Sequence, residues 1–486
     1  MRIEKDSMGE LPVPDEAYYG IQTVRSLANY DVTDRTYDDY PCMVRAMAEV
    51  KKACAITNRN IEALDASKAQ AIIQACDEII AGRFAGQFPV KVSRGAGTSF
   101  NMNVNEVIAN RANEILTGTK GYVLVHPNNH VNMCQSSNDT MPTVENIVLY
   151  RESGAVAKAA RTLEDALAQK TLQFADVVRV GRTALQDAVP MTLGQVFAGF
   201  RGGVRRNRRL LEAFRETYRQ VVIGGTVLGT GIGILPGYYE QIHRNLSVVL
   251  GFEVLPPSGT EGEVDLIPNE HMFVGMQNPD HFLIISGYLK SLACVAGKIA
   301  NDLRLLASGP DAGFGEIELP APGGAAAAIA GDGASLCEWV SGVAQQVSAG
   351  DWATTMSVTQ CDADIASGAR VAFDSVLDSL LMLRTCLDLF AGECVRTITA
   401  NVETCRNNAE HSTSLATMVS TLYGYEVGTR IARLAYAEGM TCKEAALKEG
   451  LIEPDAAEEL FDVRRLSQRE RTVEMFAKYG KLRRVK

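Results

Sequence analysis

Between Cys42 and about Ile80 the apolar positions fall at helical steps. Met43, Met47, Val50, Ala53, Ile56 and Ile61 recur every three or four residues, the period of one helix face. The same spacing predicts long helices over about 147–168, 193–222, 236–251, 281–307, 335–349 and 365–393. Strand-like alternation is brief. Three polar segments interrupt the pattern: Gly95–Asn105 (GAGTSFNMNVN), His126–Thr143 (HPNNHVNMCQSSNDTMPT) and Arg179–Thr192 (RVGRTALQDAVPMT). All three read as loops, each leading into a long Ala-, Leu- and Val-rich helix. Residues 1–40, broken by Gly9, Pro12 and Pro14, read as irregular. The expectation is a mainly α protein with a long helical bundle, its apolar stripes wide enough to pack on another subunit.

Composition narrows the partners. At 486 residues the chain is long enough for two or three packed regions. Hydrophobic residues make up 46% and charged ones 22%, ordinary values for a globular protein. A formal charge of −10 argues against nucleic-acid or anionic-membrane partners, which need clustered Lys and Arg. The opening MRIEKDSMGELPVPDEAYYG has no apolar core of a signal peptide, and the most apolar run, near Phe282–Ala300, is interrupted by Lys290 and Lys298. Eleven cysteines lack CxxC pairs and metal-like spacing with histidine, so reduced thiols, no metal, no cofactor and a cytoplasmic setting are expected.

The three polar segments carry the candidate chemistry. They offer Thr98, Ser99 and Asn101; Ser136, Ser137 and Asn138; and Thr183 with Gln186. Hydroxyls and free backbone N–H groups beside helix starts bind carboxylates without a formal cation. Singly, each is an ordinary cap or turn; together they point to a carboxylate ligand. His130, inside the second segment, is the one histidine proposed for the site. GGTVLGTGIG (224–233) lacks the glycine spacing and βαβ context of a dinucleotide loop and reads as a close-packed turn.

GAGTSFNMNVNEV (95–107), NNHVNMCQSSNDTMPT (128–143), GRTALQDAVPMTLGQ (181–195), GGTVLGTGIG and NDLRLLASGP (301–310) together resemble the aspartase/fumarase superfamily, its aspartate ammonia-lyase branch above all. The opening RIEKDSMGELPVPDEAYYGIQT and the closing GMTCKEAALKEGLI extend the likeness over nearly the whole chain. The resemblance implies three regions (residues 1–140, a central bundle at 141–397, and 398–486) and a homotetramer with active sites between subunits. It implies a small carboxylate substrate and an elimination in which a base removes a proton and a C–N or C–O bond breaks. On the matching positions, Thr98, the Ser136–Ser137–Asn138 trio and Thr183 would hold substrate.

One stretch departs from the family pattern. Where members carry GSSxMPxKxNP, with a serine base and a lysine clamp, this chain has GGAAAAIAGDGAS (323–335). Ser335 is the only serine between Ala321 and Trp339, and no lysine occurs between Lys298 and Lys443. Ala184 follows Thr183 where many members have histidine, and Asp311 replaces an arginine. Losing a general base alone costs roughly 10²–10⁴ in rate, so ordinary aspartase chemistry is the least favoured reading. Replacement bases, in order, are Asp332, Ser335 and Glu316. The acids Asp311, Glu316, Glu318, Asp332 and Asp351, without the lysine, suit a substrate with one carboxylate and a cationic or bulky remainder. An ergothionase-like lyase releasing trimethylamine from a histidine betaine fits, with Trp352, Trp339, Phe314 or Tyr122 facing the quaternary ammonium. The alternative is a catalytically inactive paralogue serving as a binding or scaffold tetramer.

Overall fold

The computed structural model describes residues 1–29, 31, 33–93, 96–258, 266–267, 270–309, 311–320, 334–361 and 363–480. In chain order its helices are α1 (Ile21–Asn29), α2 (Pro41–Asn60), α3 (Ala66–Ile80), α4 (Ala96–Thr117), α5 (Ser137–Gln173), α6 (Leu193–Arg215), α7 (Tyr239–Leu250), α8 (Glu270–Gln277), α9 (Asp280–Leu306), α10 (Ser335–Val358) and α11 (Arg370–Leu389). Seven shorter ones follow: α12 (Val402–Glu410), α13 (Ala416–Tyr423), α14 (Tyr425–Glu438), α15 (Cys442–Lys448), α16 (Pro454–Leu460), α17 (Val463–Leu466) and α18 (Arg469–Tyr479). Three antiparallel pairs complete the described elements: β1 (Arg2–Asp6) with β2 (Gly9–Val13), β3 (Val178–Thr183) with β4 (Gln186–Thr192), and β5 (Ile317–Glu318) with β6 (Thr399–Ala400). The fold is mainly α, as the hydrophobic period requires.

Local differences from the sequence reading have physical causes. The single helical run from Cys42 is two helices, because Asp65 caps a new start by accepting from the backbone N–H groups of Ser67 and Lys68. Gly95–Asn105 is not a loop but helix from Ala96 onward. Its asparagines look like loop residues, yet Asn101, Asn103 and Asn105 are buried and spend their amides on interior partners. The third polar segment is a β-hairpin. Gly181 sits at the irregularity in its ladder, and a Cβ there would lie 2.7 Å from the Val189 carbonyl oxygen.

The chain packs into two compact units, neither continuous in sequence: residues 1–157, 210–290 and 346–381, and residues 158–209, 291–345 and 382–486. α5, α6, α9, α10 and α11 each contribute to both. In the first, α2, α3 and α4 pack around Met43, Met47, Ile72 and Phe100, and Tyr37 stacks on Phe100 at 3.7 Å. In the second, α13 to α16 close over Leu415, Val419, Ile431, Ala445 and Leu460. Of the described helices, α9 alone is long and apolar enough to cross a bilayer, but half of that window is buried and its Lys290 pairs with Asp351. It is a packed helix of the bundle.

Candidate active site

α5 is the spine of a cavity of about 400 Å³ in the first unit. Ser137, Asn138, Met141, Pro142, Glu145 and Asn146 line it, positions that share one helix face. Opposite them stand Gly97 and Thr98 of α4, Gly275 and Met276 of α8, His281 and Phe282 of α9, and Arg370 at the start of α11. First turns of four helices therefore meet at one space. A helix start carries the positive end of its dipole, while the Asn138 and Phe282 N–H groups in these turns are already taken by Ser136 Oγ and the Pro279 carbonyl. At the outer end the Thr98 and Ser137 hydroxyls lie 3.0 Å apart. Both hydroxyls belong to residues that line the cavity.

That end is braced from behind. Ser136 caps α5, its Oγ accepting from the Asn138 N–H at 3.2 Å, while Asp139 accepts from the Ser136 N–H at 2.9 Å, the reciprocal geometry of a capping box. Asp139 is fully buried and also accepts from the N–H groups of Gly224 (3.1 Å) and Thr226 (2.9 Å). Burial pushes its carboxyl up to about 6 against the pull of these backbone donors. The glycine-rich 224–233 segment is thus a turn wrapped on Asp139. Gly224, Gly229, Gly231 and Gly233 all have positive φ there, and Asn138 Nδ2 donates to the Val227 carbonyl at 3.0 Å. Beneath lies buried Lys51, donating to Asn132 Oδ1 and Gln135 Oε1, with burial pulling its amine down to about 8.

The inner end is built from charge. Glu145 Oε1 accepts from Arg370 Nη1 at 3.0 Å, and Arg370 Nη2 reaches Asp374 at 2.7 Å. Two carboxylates flank one guanidinium, so the group carries a surplus negative charge in a place that disfavours charge. Burial pushes Glu145 up to about 7, Arg370 opposing, and raises Asp374 as well. His281 lines the same space; burial pushes its ring down to about 4, so it is neutral at neutral pH.

The sequence candidates divide accordingly. Thr98, Ser137 and Asn138 meet at the cavity, and Ser136 acts through the cap. Ser99 is half-buried in the first turn of α4 and is not a lining residue. Asn101 is turned inward to Asn132, 3.1 Å away, and His130 accepts from the His126 N–H through Nδ1 while its Nε2 meets Lys68; both stabilise the protein around the site rather than line it. Glu316 is fully buried, held by Arg179 at 2.6 Å and Arg182 at 2.8 Å, with Asn408 donating to it. This is a structural ion pair, not a free base. Ser335 begins α10 in the second unit, and Asp332 lies outside the described residues. Thr183 also belongs to the second unit, at the exposed tip of the β3–β4 hairpin. The turn there holds Ala184 and Leu185 at φ 50° and 62°, a conformation strained for both side chains.

None of the four aromatic candidates lines the cavity. Tyr122 donates to Glu4, Arg182 covers Phe314 at 3.8 Å, and Trp339 and Trp352 stand exposed on α10. Phe282 is the ring that does. Sequence reasoning missed Asp139, Glu145, Arg370 and His281. Asp139 had a signal, three residues after a capping serine. Glu145 had a fainter one, a charge on the α5 face that carries Asn138 and Met141.

Comparison with known proteins agrees with this architecture. Residues 9–326 match the family model described as Lyase, and 415–468 match Fumarase C C-terminus. An aspartate ammonia-lyase of Pseudomonas aeruginosa is 39% identical over 456 residues, 93% of this chain and 94% of the relative. A class II fumarate hydratase of Thermosynechococcus vestitus is 36% identical over 457 residues, covering 93% and 94%. Among solved structures, a fumarate lyase:delta crystallin of Brucella melitensis bound to cobalt superposes with a TM-score of 0.90 at 39% identity, covering 96% of this chain and 99% of that one. The chain belongs to the aspartase/fumarase superfamily of lyases.

Proposed function

We propose that this lyase eliminates an amine from an α-ammonium carboxylate other than L-aspartate, breaking a C–N bond to leave an unsaturated acid. One observation carries the reading. The Thr98 and Ser137 hydroxyls suit one carboxylate, and Arg370, the one cation among the described residues that line the cavity, is already bracketed by Glu145 and Asp374. A second substrate carboxylate would put three anions on one guanidinium. The 39% identity to an aspartate ammonia-lyase, against 36% to a class II fumarate hydratase, is in keeping with C–N cleavage. Histidine betaines such as ergothioneine, which would release trimethylamine, belong to the substrate class. The assembly proposed is a homotetramer, consistent with the exposed hairpin tip carrying Thr183 and with exposed Trp352 and Met356 on α10.

The test is a substrate panel of L-aspartate, L-malate, histidine betaine and ergothioneine, followed by the ultraviolet absorbance of the unsaturated acid, with light scattering to give the assembly mass. Turnover of a betaine with none of aspartate is expected. Turnover of aspartate sinks the one-carboxylate reading. Silence across the panel, with no thermal shift from any member, selects the inactive scaffold suggested by the alanine-rich 323–335 segment.

A further inference from the structure

We propose that Glu145 is the proton-accepting base of this cavity, with Arg370 as its positioning residue; this rests on the elimination reading above. The geometry comes first. Glu145 lines the same space as the carboxylate-holding hydroxyls and projects from the same face of α5. Eight residues separate it from Ser137, a rise of about 12 Å between their backbones, a length that a small amino acid hydrogen-bonded to both side chains can bridge. Both side chains tilt toward the helix start, which keeps the carboxyl turned along the cavity rather than away from the hydroxyls.

The surroundings then suit the task. Arg370 fixes one carboxylate oxygen at 3.0 Å, and its own orientation is set by Asp374 at 2.7 Å and by the Tyr37 and Phe373 rings, 5.4 Å and 4.8 Å away. The charged and titratable groups facing Glu145 are Arg370 and Asp374 of α11, Tyr37 of the turn before α2, and the neutral His281 of α9. Beyond Asp374, Arg35 pairs with Asp378 at 2.8 Å. One guanidinium between two carboxylates leaves the cluster one proton short of neutrality. Accepting a proton therefore removes a surplus buried charge instead of creating one, and a carboxyl that titrates near the working pH is the kind a general base needs.

The step balances simply. The Glu145 carboxylate takes a proton from the carbon beside the ammonium-bearing one. The C–H electron pair becomes the second bond of the alkene, the C–N pair leaves with the amine, and protonated Glu145 returns its proton to solvent.

The experiment uses the full chain with the panel above in D₂O, reading exchange of the substrate's carbon-bound hydrogen by proton NMR and elimination by absorbance. Glu145→Gln is expected to slow both at least about 100-fold while the affinity for the unsaturated acid changes less than about threefold. The wild-type acid limb of kcat/KM near pH 7 should vanish in the variant, and Glu145→Asp should restore part of the rate. Unchanged elimination by Glu145→Gln overturns the assignment and leaves the amine-lyase reading intact. Exchange without elimination, dependent on Glu145, supports the base and sinks the amine reading. Neither exchange nor elimination by the wild type overturns both.

Discussion

The two ends of the cavity solve opposite problems with opposite means. The outer end presents the Thr98 and Ser137 hydroxyls at two helix starts, braced by Asp139 from behind, as the place proposed for an anion. The inner end gathers three ionisable side chains, Glu145, Arg370 and Asp374, one guanidinium between two carboxylates. Preorganised dipoles bind without titrating, while a buried cluster with one carboxylate in surplus can take up a proton. A site that must both hold a carboxylate and move a proton has reason to keep these tasks apart.

Removing the shared cation should break that contrast most severely. Arg370→Met leaves Glu145 and Asp374 facing each other without compensation, and loss of one partner of a buried pair costs about 3–5 kcal/mol. Urea unfolding at pH 8 should show most of it, with a smaller loss at pH 5, below the value of about 7 to which burial pushes Glu145. Equal losses at the two values would mean that the acids are already neutral in the native protein.

Glu145 can be isolated by pH alone. Its folded value, about 7, lies above its ordinary value near 4.5, so its contribution to stability is full below about 4.5 and is lost as pH rises through about 7. Glu145→Gln is neutral throughout. The wild-type melting temperature should therefore fall relative to that variant between pH 5 and pH 8, and parallel curves would place Glu145 in water rather than in the cavity wall.

At the outer end the expected effects are smaller and fall on binding. Ser137→Ala removes a hydroxyl that would meet a charged carboxylate, worth about 1.5–3 kcal/mol or about 10–100-fold in affinity, read by calorimetry with the unsaturated acid. Stability should barely change, because Ser137 has already entered the helix and Thr98 remains beside it.

How much of this was readable in the chain follows the same division. The outer end is encoded within short segments, so Thr98, Ser137 and Asn138 could be named from sequence. Long helices were equally legible, because a 3.6-residue period needs no distant partner. Asn101 misled because its polarity suggests a ligand contact, while its actual partner, Asn132, is thirty-one residues away. Glu145 and Arg370 are 225 residues apart, and nothing local in either segment announces the other. The third segment was misread because its turn carries Ala184 and Leu185 in place of the Asn-Gly pair that usually signals such a hairpin.

The subtlest test separates two adjacent serines at the outer end. Ser136 and Ser137 look interchangeable in sequence, yet one closes the helix and the other faces the cavity. Ser136→Ala removes the acceptor for the Asn138 N–H but leaves its own backbone N–H bonded to Asp139, so half the capping box survives. The expected cost is about 1 kcal/mol of stability, with affinity for the unsaturated acid reduced only as far as the fraying first turn loosens Ser137 and Asn138. Since Asn138 is also tied to Val227 and Asp139 to Gly224 and Thr226, that loosening should be slight, under about threefold. If Ser136→Ala instead weakened binding as strongly as Ser137→Ala, the carboxylate would be resting on both hydroxyls, and the separation between a side chain that caps and one that binds would disappear.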